Sequence, residues 1–261
     1  MRNTTWRRLI ALGAVGGLAG CAAPTVVTPA AYAEGARAEA ATTKERRVQP
    51  TEVAVLATLH GLHREVPGYD FDALERAILA LEPDVLCMEL DSGDLQKRDG
   101  FGSKVEYPEV VLPLLDAKGW DACTLEPSGK VADEIIQRLR SANAAFNEGK
   151  PDLAKSFGEY VTLNYTLLKS HWASPAEVND AITDAVFAGK HAIQSQLMGE
   201  GEREGWEAWN EHFLEEIEQA VSSHRGQRVV ALVGAEHGYW LRARLREVPA
   251  VTLVDTAAAL H

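Results

Sequence analysis

Four short apolar runs of the sequence have the pattern of buried strands. A histidine or a glutamate stands at or just beyond the end of each run: His60, Glu89, Glu126 and His237. Because the carboxyl ends of parallel strands form the ligand crevice of an open α/β sheet, we expect these side chains to share one edge. Imidazole nitrogens and carboxylate oxygens suit zinc, manganese and similar divalent ions, and they suit acid–base catalysis equally well. The sequence therefore predicts a metal or acid–base site at this edge.

Other catalytic signatures are absent from the sequence. It contains no Walker loop, no Gly-rich dinucleotide loop and no Gly-x-Ser-x-Gly elbow, which leaves little support for a nucleotide enzyme or a serine hydrolase. His63 is a lesser candidate for the same edge. The other histidines of the central part of the chain lack metal-ligand spacing, and we interpret them as surface or core helix positions: His171, His191, His212 and His224.

The elements that must position these side chains alternate between strand and helix. Short apolar runs predict strands at 52–58, 84–90 and 120–125. Apolar residues at helical spacing predict helices at 71–81 and 108–118. Asp70 is placed to cap the first helix and Gly119 to end the second. After a long interruption, a strand at 228–233, a helix at 239–246 and a strand at 250–254 follow. This order predicts an α/β fold with a mostly parallel sheet and flanking helices.

The interruption, residues 130–224, is predicted to be an all-helical insertion between the third and fourth strands. Its apolar residues recur at helical spacing, and Ser174 and Glu177 have the pattern of a capping box at the start of one helix. Because both ends of the insertion leave from the carboxyl edge of the sheet, we expect it to cap the crevice. The helix that carries Trp206 and Phe213 is expected to approach the cluster most closely.

The N-terminus has the features of an export signal. The first twenty residues carry three arginines and no acid, and their apolar stretch is too short to span a bilayer but suits a signal peptide. Leu18-Ala19-Gly20-Cys21 resembles a bacterial lipobox, which implies cleavage before Cys21 and attachment of lipid, palmitate included, to that residue. Ordinary secretory cleavage after Ala33 is the alternative, and the pair Arg7-Arg8 also resembles a twin-arginine signal.

Three segments follow from this interpretation. Residues 1–20 are the predicted lipoprotein signal peptide, 21–50 a flexible tether rich in Ala, Thr, Pro and charge, and 51–261 a single α/β domain. Ala22, rather than Asp, follows the lipidated cysteine and resembles the outer-membrane sorting pattern. We therefore expect a protein anchored in the bilayer through Cys21, on the outer membrane and facing the periplasm.

Charge and cysteine usage narrow the range of partners. Without the three arginines of the signal, 23 basic residues face 38 acidic ones, and the net charge is −15. A nucleic-acid partner is not expected, because phosphate neutralisation needs a basic face. Cys87 and Cys123 each sit inside an apolar run and are expected to be buried free thiols, with a disulfide as the alternative that export would allow.

The segments around the candidate residues resemble one protein family. Ala57-Thr58-Leu59-His60, followed by the stretch Pro83 to Asp91, looks like the opening of the TraB/TIKI-like proteins, which include GumN-type bacterial members. The stretch Ala117 to Glu126 is similar to the third strand of that family. Val233-Gly234-Ala235-Glu236-His237 resembles its second Gly-x-x-His motif. The resemblance covers both sheet segments, with a helical block between them as in the family.

This resemblance implies a metal-dependent hydrolase. TIKI-type members act as metalloproteases, and distant erythromycin-esterase-like relatives open esters. Three residues match the family positions expected to bind metal or act on substrate: His60, Glu89 and His237. The chain departs from the family in having Ala57 in place of the usual Gly, and Trp209-Asn210-Glu211-His212 where an Arg is usual.

We therefore expect a metal-dependent hydrolase that cleaves a peptide or ester bond in a peptide or small-molecule substrate. His60 and His237 would hold a divalent ion, and Glu89 would complete its shell or activate the attacking water. Glu126 is a candidate additional ligand or a support for the others. The alternative is a lipoprotein without catalysis that binds a ligand or haem, with His60, His63 or His237 as axial ligands.

Overall fold

The computed structural model describes residues 50–261 of the chain. The predicted signal peptide 1–20, the lipidated Cys21 and the tether up to residue 49 lie outside the described residues. Within residues 50–261, no helix is long and apolar enough to cross a membrane.

The described residues form an α/β fold around a five-stranded sheet whose neighbouring strands are all parallel. The strands are β1 (Thr51–Thr58), β2 (Val85–Met88), β3 (Asp121–Thr124), β4 (Arg228–Gly234) and β5 (Val251–Leu253). Their spatial order is β3-β2-β4-β1-β5, so the two longest strands, β1 and β4, lie side by side in the middle. The predicted fold class, with its largely parallel sheet, is confirmed.

Ten helices surround this sheet in the described part of the chain. They are α1 (Phe71–Ala80), α2 (Ser92–Lys97), α3 (Leu112–Lys118), α4 (Gly129–Gly149), α5 (Pro151–His171), α6 (Pro175–Val178), α7 (Ala181–Met198), α8 (Glu200–Ser223), α9 (Ala235–Leu245) and α10 (Thr256–Ala259). Two 3₁₀ turns, His60–Arg64 and Pro67–Tyr69, precede α1, and a π-helical turn, Tyr107–Val111, leads into α3. Asp70 caps α1 by accepting a hydrogen bond from Ala73, and Gly119 ends α3 with a φ of 67°, both as predicted.

Helices cover both faces of the sheet, which explains why the central strands are apolar without a polar alternation. Leu56 of β1 packs on one face in a cluster with Leu74 of α1. Its neighbour Val55 points to the opposite face and joins a second cluster with Phe213 of α8 and Leu241 of α9. The sheet is thus the middle layer between two apolar cores.

The helical insertion is confirmed between β3 and β4, where it consists of α4 to α8. Helix α6 begins at Pro175 with Ser174 at the N-cap position, as predicted, but the Ser174 side chain makes no capping hydrogen bond, and the helix ends at Val178. The buried Asn179 side chain explains the break: its Oδ1 accepts a hydrogen bond from Ala57 of β1 at 2.8 Å. The helix restarts at α7, where Asp180 is the cap.

The two cysteines of the domain form a disulfide, so the prediction of free thiols is wrong. Cys87 of β2 and Cys123 of β3 are direct partners in the register of two adjacent parallel strands. This pairing brings their Cα atoms to 4.4 Å, within the range that a disulfide bridges.

Candidate functional site

The carboxyl ends of β1, β2 and β4 lie next to each other and carry the predicted site residues. Thr58, at the end of β1, is paired in register with Gly234, at the end of β4. His60, Glu89 and His237 therefore emerge at one edge, as parallel pairing predicts. His60 opens the following 3₁₀ turn with a φ of 49°, a left-handed conformation that residues other than glycine rarely adopt. Such strained residues gather at functional sites, where surrounding contacts hold them.

His60 lies between two carboxylates. Its Nδ1 is 2.7 Å from Glu106 Oε1, and its Nε2 is 3.6 Å from Glu89 Oε1. Burial lowers the pKa of His60, but hydrogen bonds and charge from the two carboxylates outweigh burial and raise the pKa to about 10. At neutral pH the ring is therefore an imidazolium that bridges Glu106 and Glu89. This edge of the sheet stabilises a positive charge.

Glu106 is the buried residue that orients His60. Its side chain is 0% exposed, and its Oε1 also accepts a hydrogen bond from Thr58 Oγ1 at 3.2 Å. Among the described residues, Glu106 Oε2 has no hydrogen-bond partner. Burial of a carboxylate with an unpartnered oxygen is costly, and the contacts with His60 and Thr58 offset part of that cost.

His63 has a supporting place in the same turn. Its Nδ1 donates to the carbonyl oxygen of Tyr69 at 2.6 Å. Its Nε2 lies 2.6 Å from Thr58 Oγ1 and accepts from the backbone N–H of Leu59 at 3.0 Å. Burial lowers the pKa of His63, which keeps the ring neutral. Both ring nitrogens are thus engaged by groups close to His60 in the chain.

Glu89 is held by a backbone N–H from the neighbouring strand. Its Oε2 accepts a hydrogen bond from Gly234, while its own N–H donates to the hydroxyl of Tyr107 at 2.9 Å. Burial alone would raise the pKa of Glu89, but the contact with His60 and nearby positive charge hold the pKa well below its usual value. A Cβ atom on Gly234 would lie 2.7 Å from His60 Nε2 and 3.3 Å from Glu89 Oε2. The packing of these two side chains therefore requires glycine at 234.

Lys104 bridges the two predicted glutamates. Its Nζ donates to the Glu89 carbonyl oxygen at 2.8 Å, lies 3.4 Å from Glu89 Oε1 and forms a close ion pair with Glu126. Burial raises the pKa of Glu126, and the Lys104 charge opposes this shift. Glu126 thus reaches the cluster through Lys104.

His237 is fixed by the helical insertion. Its Nδ1 donates to Asn210 Oδ1 at 2.8 Å, and the Asn210 amide is oriented by its own bond to the Trp206 carbonyl oxygen. The indole of Trp206 stacks on the His237 ring at 4.7 Å, and Phe213 contacts the ring at 5.0 Å. Burial lowers the pKa of His237 to about 4, so the ring is neutral with Nε2 unprotonated. The predicted approach of the Trp206 to Phe213 helix is confirmed.

A second charged cluster lies beside His237. Glu236 Oε2 is 2.7 Å from Lys190 Nζ and 3.1 Å from His191 Nε2, and Glu236 Oε1 accepts a hydrogen bond from the Tyr165 hydroxyl. Burial would raise the pKa of Glu236, but these donors and the Lys190 charge hold it well below its usual value. The His191 ring also stacks on Trp206, with the ring centroids 3.7 Å apart.

A pocket of about 240 Å³ opens beside these groups. The polar residues that line the pocket come from the edge of the sheet: Thr58, His60, Glu236 and His237. The apolar residues come from the turn around His60 and from the helical insertion: Leu59, Leu62, Tyr165, Trp172 and Phe187. The helical insertion thus forms one wall of the crevice at the sheet edge.

The predicted residues are brought together to different degrees. His60 and Glu89 are in contact, and His237 lines the same pocket as His60. Glu126 joins them only through Lys104. In the described residues, no three His, Cys, Asp or Glu side chains are arranged as a preformed metal site.

Several residues of the site escaped sequence reasoning: Lys104, Glu106, Lys190, His191 and Asn210. The first two lie in a loop without periodicity, and the others lie in helices, where their patterns are those of ordinary surface or core positions. Asn210 stands in the stretch where the resembled family usually has an Arg, and this departure is a signal that could have pointed to it.

No known protein family, curated protein or solved structure matches the chain. The resemblance to the TraB/TIKI-like family therefore stays a prediction.

Proposed function

We propose that the protein is a lipid-anchored, metal-dependent hydrolase of the bacterial envelope that cleaves a peptide or ester bond at His60, Glu89 and His237. The observation that carries this proposal is the set of contacts around His60. A buried carboxylate holds its Nδ1, its Nε2 faces a second carboxylate, and the ring itself lines a pocket. An imidazole arranged in this way serves metal binding or proton transfer.

The donor set fits a divalent ion in its chemistry. His60 and His237 each have Nδ1 engaged, by Glu106 and by Asn210, so that Nε2 is the atom left for a ligand, and on His60 a metal ion would have to displace the proton on Nε2. Hydrogen bonds of this kind from the second nitrogen orient metal-binding histidines in proteins. Glu89 Oε1 would be the third donor, since Oε2 is engaged by Gly234. When bound, such an ion lowers the pKa of a coordinated water to about 7.

The remaining groups of the site have defined tasks in this proposal. Glu106 keeps a proton on His60 Nδ1, and Asn210 keeps one on His237 Nδ1. Lys104 offsets the charge of Glu89 and Glu126. The helical insertion limits the access of water to the sheet edge, as lids do.

The disulfide supports the envelope location. Disulfides persist in oxidising compartments such as the bacterial periplasm and are rare in the cytosol. The Cys87–Cys123 bond therefore agrees with export through the predicted signal peptide and anchoring at Cys21. Replacement of Cys21 by Ser is expected to release the protein from the membrane fraction, and an unchanged membrane fraction would reject the anchor.

The pocket size favours hydrolysis over the haem-binding alternative. At about 240 Å³, the pocket is smaller than the roughly 300–1,000 Å³ of sites for drug-sized ligands. It suits one substituent of a substrate better than a macrocycle. Addition of haem is expected to give no Soret band, and a band that disappears in His60→Gln would favour the alternative.

Metal titration of the full chain tests the proposal. We expect one equivalent of Zn²⁺ to bind in isothermal titration, with binding lost in His60→Gln and in His237→Gln. His212→Gln is the matched control and should bind metal like the wild type, because His212 is partly exposed on α8 and its ring faces Glu216 at 3.9 Å. Wild-type protein that binds no divalent ion would overturn the metal assignment.

A further inference from the structure

Three aromatic rings of the helical insertion form an apolar wall of the pocket. Tyr165 of α5 and Phe187 of α7 lie with their ring centroids 5.8 Å apart, and Trp172 completes the group at 6.4 Å from Phe187. Leu59 and Leu62, from the turn around His60, line the same pocket. The hydrolytic edge and an aromatic wall therefore face one cavity.

The polar atoms of this wall already have partners within the protein. Trp172 Nε1 donates to Thr183 Oγ1 at 2.9 Å, and the Tyr165 hydroxyl donates to Glu236. A polar group placed against the wall would lose water without gaining a donor from these rings, which is unfavourable. An apolar group would gain free energy in proportion to the surface that it removes from water. The aromatic wall therefore favours apolar groups over polar ones.

The volume sets the size of the group that fits. Apolar cavities of about 150 Å³ accept benzene, whereas drug-sized molecules need roughly 300 Å³ or more. The pocket, at about 240 Å³, lies between these limits. It holds a benzyl group or a branched aliphatic group, but not a second ring system.

The charges that border the pocket favour a neutral group. The Glu236 carboxylate is paired with Lys190, which lies 2.7 Å away, and the charge of His60 is paired with Glu106 and Glu89, so neither Glu236 nor His60 offers an unpaired charge to the pocket. An ionised substituent would find no free counter-charge among Leu59, Leu62 and the aromatic rings, and its burial would be costly.

We propose that this pocket binds a neutral aromatic or branched aliphatic substituent on one side of the bond that is cleaved. The substrates are accordingly esters or peptides that carry such a group next to the scissile carbonyl. This inference rests on the proposed hydrolase function and names its substrate class.

Two esters that differ only in the acyl substituent test the pocket. The full chain in detergent is assayed with 4-nitrophenyl phenylacetate and 4-nitrophenyl acetate. Because one methylene in a hydrophobic pocket changes kcat/KM by about 10- to 200-fold, we expect at least about a tenfold preference for the phenylacetate. Leu62→Trp fills the pocket and should bring the ratio of the two kcat/KM values close to one. Leu163→Trp, at an exposed position of α5, is the matched control and should keep the wild-type ratio.

The outcomes separate this inference from the function on which it rests. Hydrolysis that is lost in His60→Gln, but shows no acyl preference or keeps its preference in Leu62→Trp, overturns the pocket and leaves the hydrolase standing. If neither ester is cleaved in a His60-dependent way, the hydrolase proposal fails for esters, and binding decides the pocket. Phenylacetamide should then bind at least about tenfold more tightly than acetamide in calorimetry, and Leu62→Trp should abolish the difference. Equal binding of the two amides overturns the inference.

Discussion

Replacement of Glu106 by Gln removes one charge from the site with little change of shape. In the wild type, His60 Nδ1 lies 2.7 Å from Glu106 Oε1. The carbonyl oxygen of the new side chain can still accept a hydrogen bond from His60 Nδ1. What disappears is the negative charge that strengthens the hydrogen bond and makes the ring a better ligand or base. The substitution therefore isolates the electrostatic part of the contact.

The expected loss is set by what such supporting carboxylates contribute in metal sites. Removing one costs roughly 10- to 100-fold in metal affinity or activity, which is about 1.4–2.7 kcal/mol. The free energy of unfolding should fall as well. Glu106 is 0% exposed and its charge helps to raise the pKa of His60, so the neutral amide removes one partner of a buried ion pair. We therefore expect Glu106→Gln to unfold at a lower urea concentration than the wild type, and zinc affinity and activity are measured where the variant is still folded.

We would measure zinc affinity by chelator competition and kcat/KM for ester hydrolysis. Urea unfolding would give the free energy of unfolding of the same variants. Glu109→Gln is the matched control, because Glu109 lies three residues further on, is 53% exposed and makes only a surface ion pair with Arg64. Its effect should stay below about 1 kcal/mol in every assay. Wild-type zinc affinity and activity in folded Glu106→Gln would refute the role assigned to this charge.

Three further predictions concern other residues of the domain. Gly234→Ala places a Cβ 2.7 Å from His60 Nε2 and should abolish zinc binding. Gly158→Ala, whose Cβ meets no atom within 4 Å, is the control and should bind zinc normally, and normal binding by both variants would contradict the packing argument. The Cys87–Cys123 bond closes a loop with a sequence separation of 36, so its reduction should lower the free energy of unfolding by about 3–4 kcal/mol in urea, and a Cys87→Ala/Cys123→Ala variant should not respond to reductant. Burial raises the pKa of Glu202 above its unfolded value, so ionisation of Glu202 destabilises the fold as pH rises through the folded pKa. Glu202→Gln should therefore stabilise the protein more at pH 8 than at pH 4, and equal effects at the two pH values would contradict this.

The sequence predicts those parts of the site that follow from strand topology. His60, Glu89 and His237 stand where apolar runs end, and parallel pairing places such residues at one edge. The approach of the Trp206 helix could be predicted as well, since a helix that leads into β4 must pass the crevice. These inferences need only the order of elements along the chain.

The parts that the sequence did not predict depend on contacts between distant segments. Glu106 lies in a loop, and only its position in the fold shows that it meets His60. The Cys87–Cys123 bond requires the register of β2 against β3, which apolar runs do not reveal. Asn179 interrupts a helix because it binds β1, so a tertiary contact overrides the local capping pattern.

Hydrolysis restored by metal tests the central claim most directly. The full chain is stripped with a chelator and dialysed, and the cleavage of 4-nitrophenyl phenylacetate is followed as Zn²⁺ is added. We predict that activity returns with one equivalent of Zn²⁺ in the wild type and in His212→Gln, and that it stays absent in His60→Gln and in Glu89→Gln. Activity that ignores both the chelator and the His60 substitution would contradict the account.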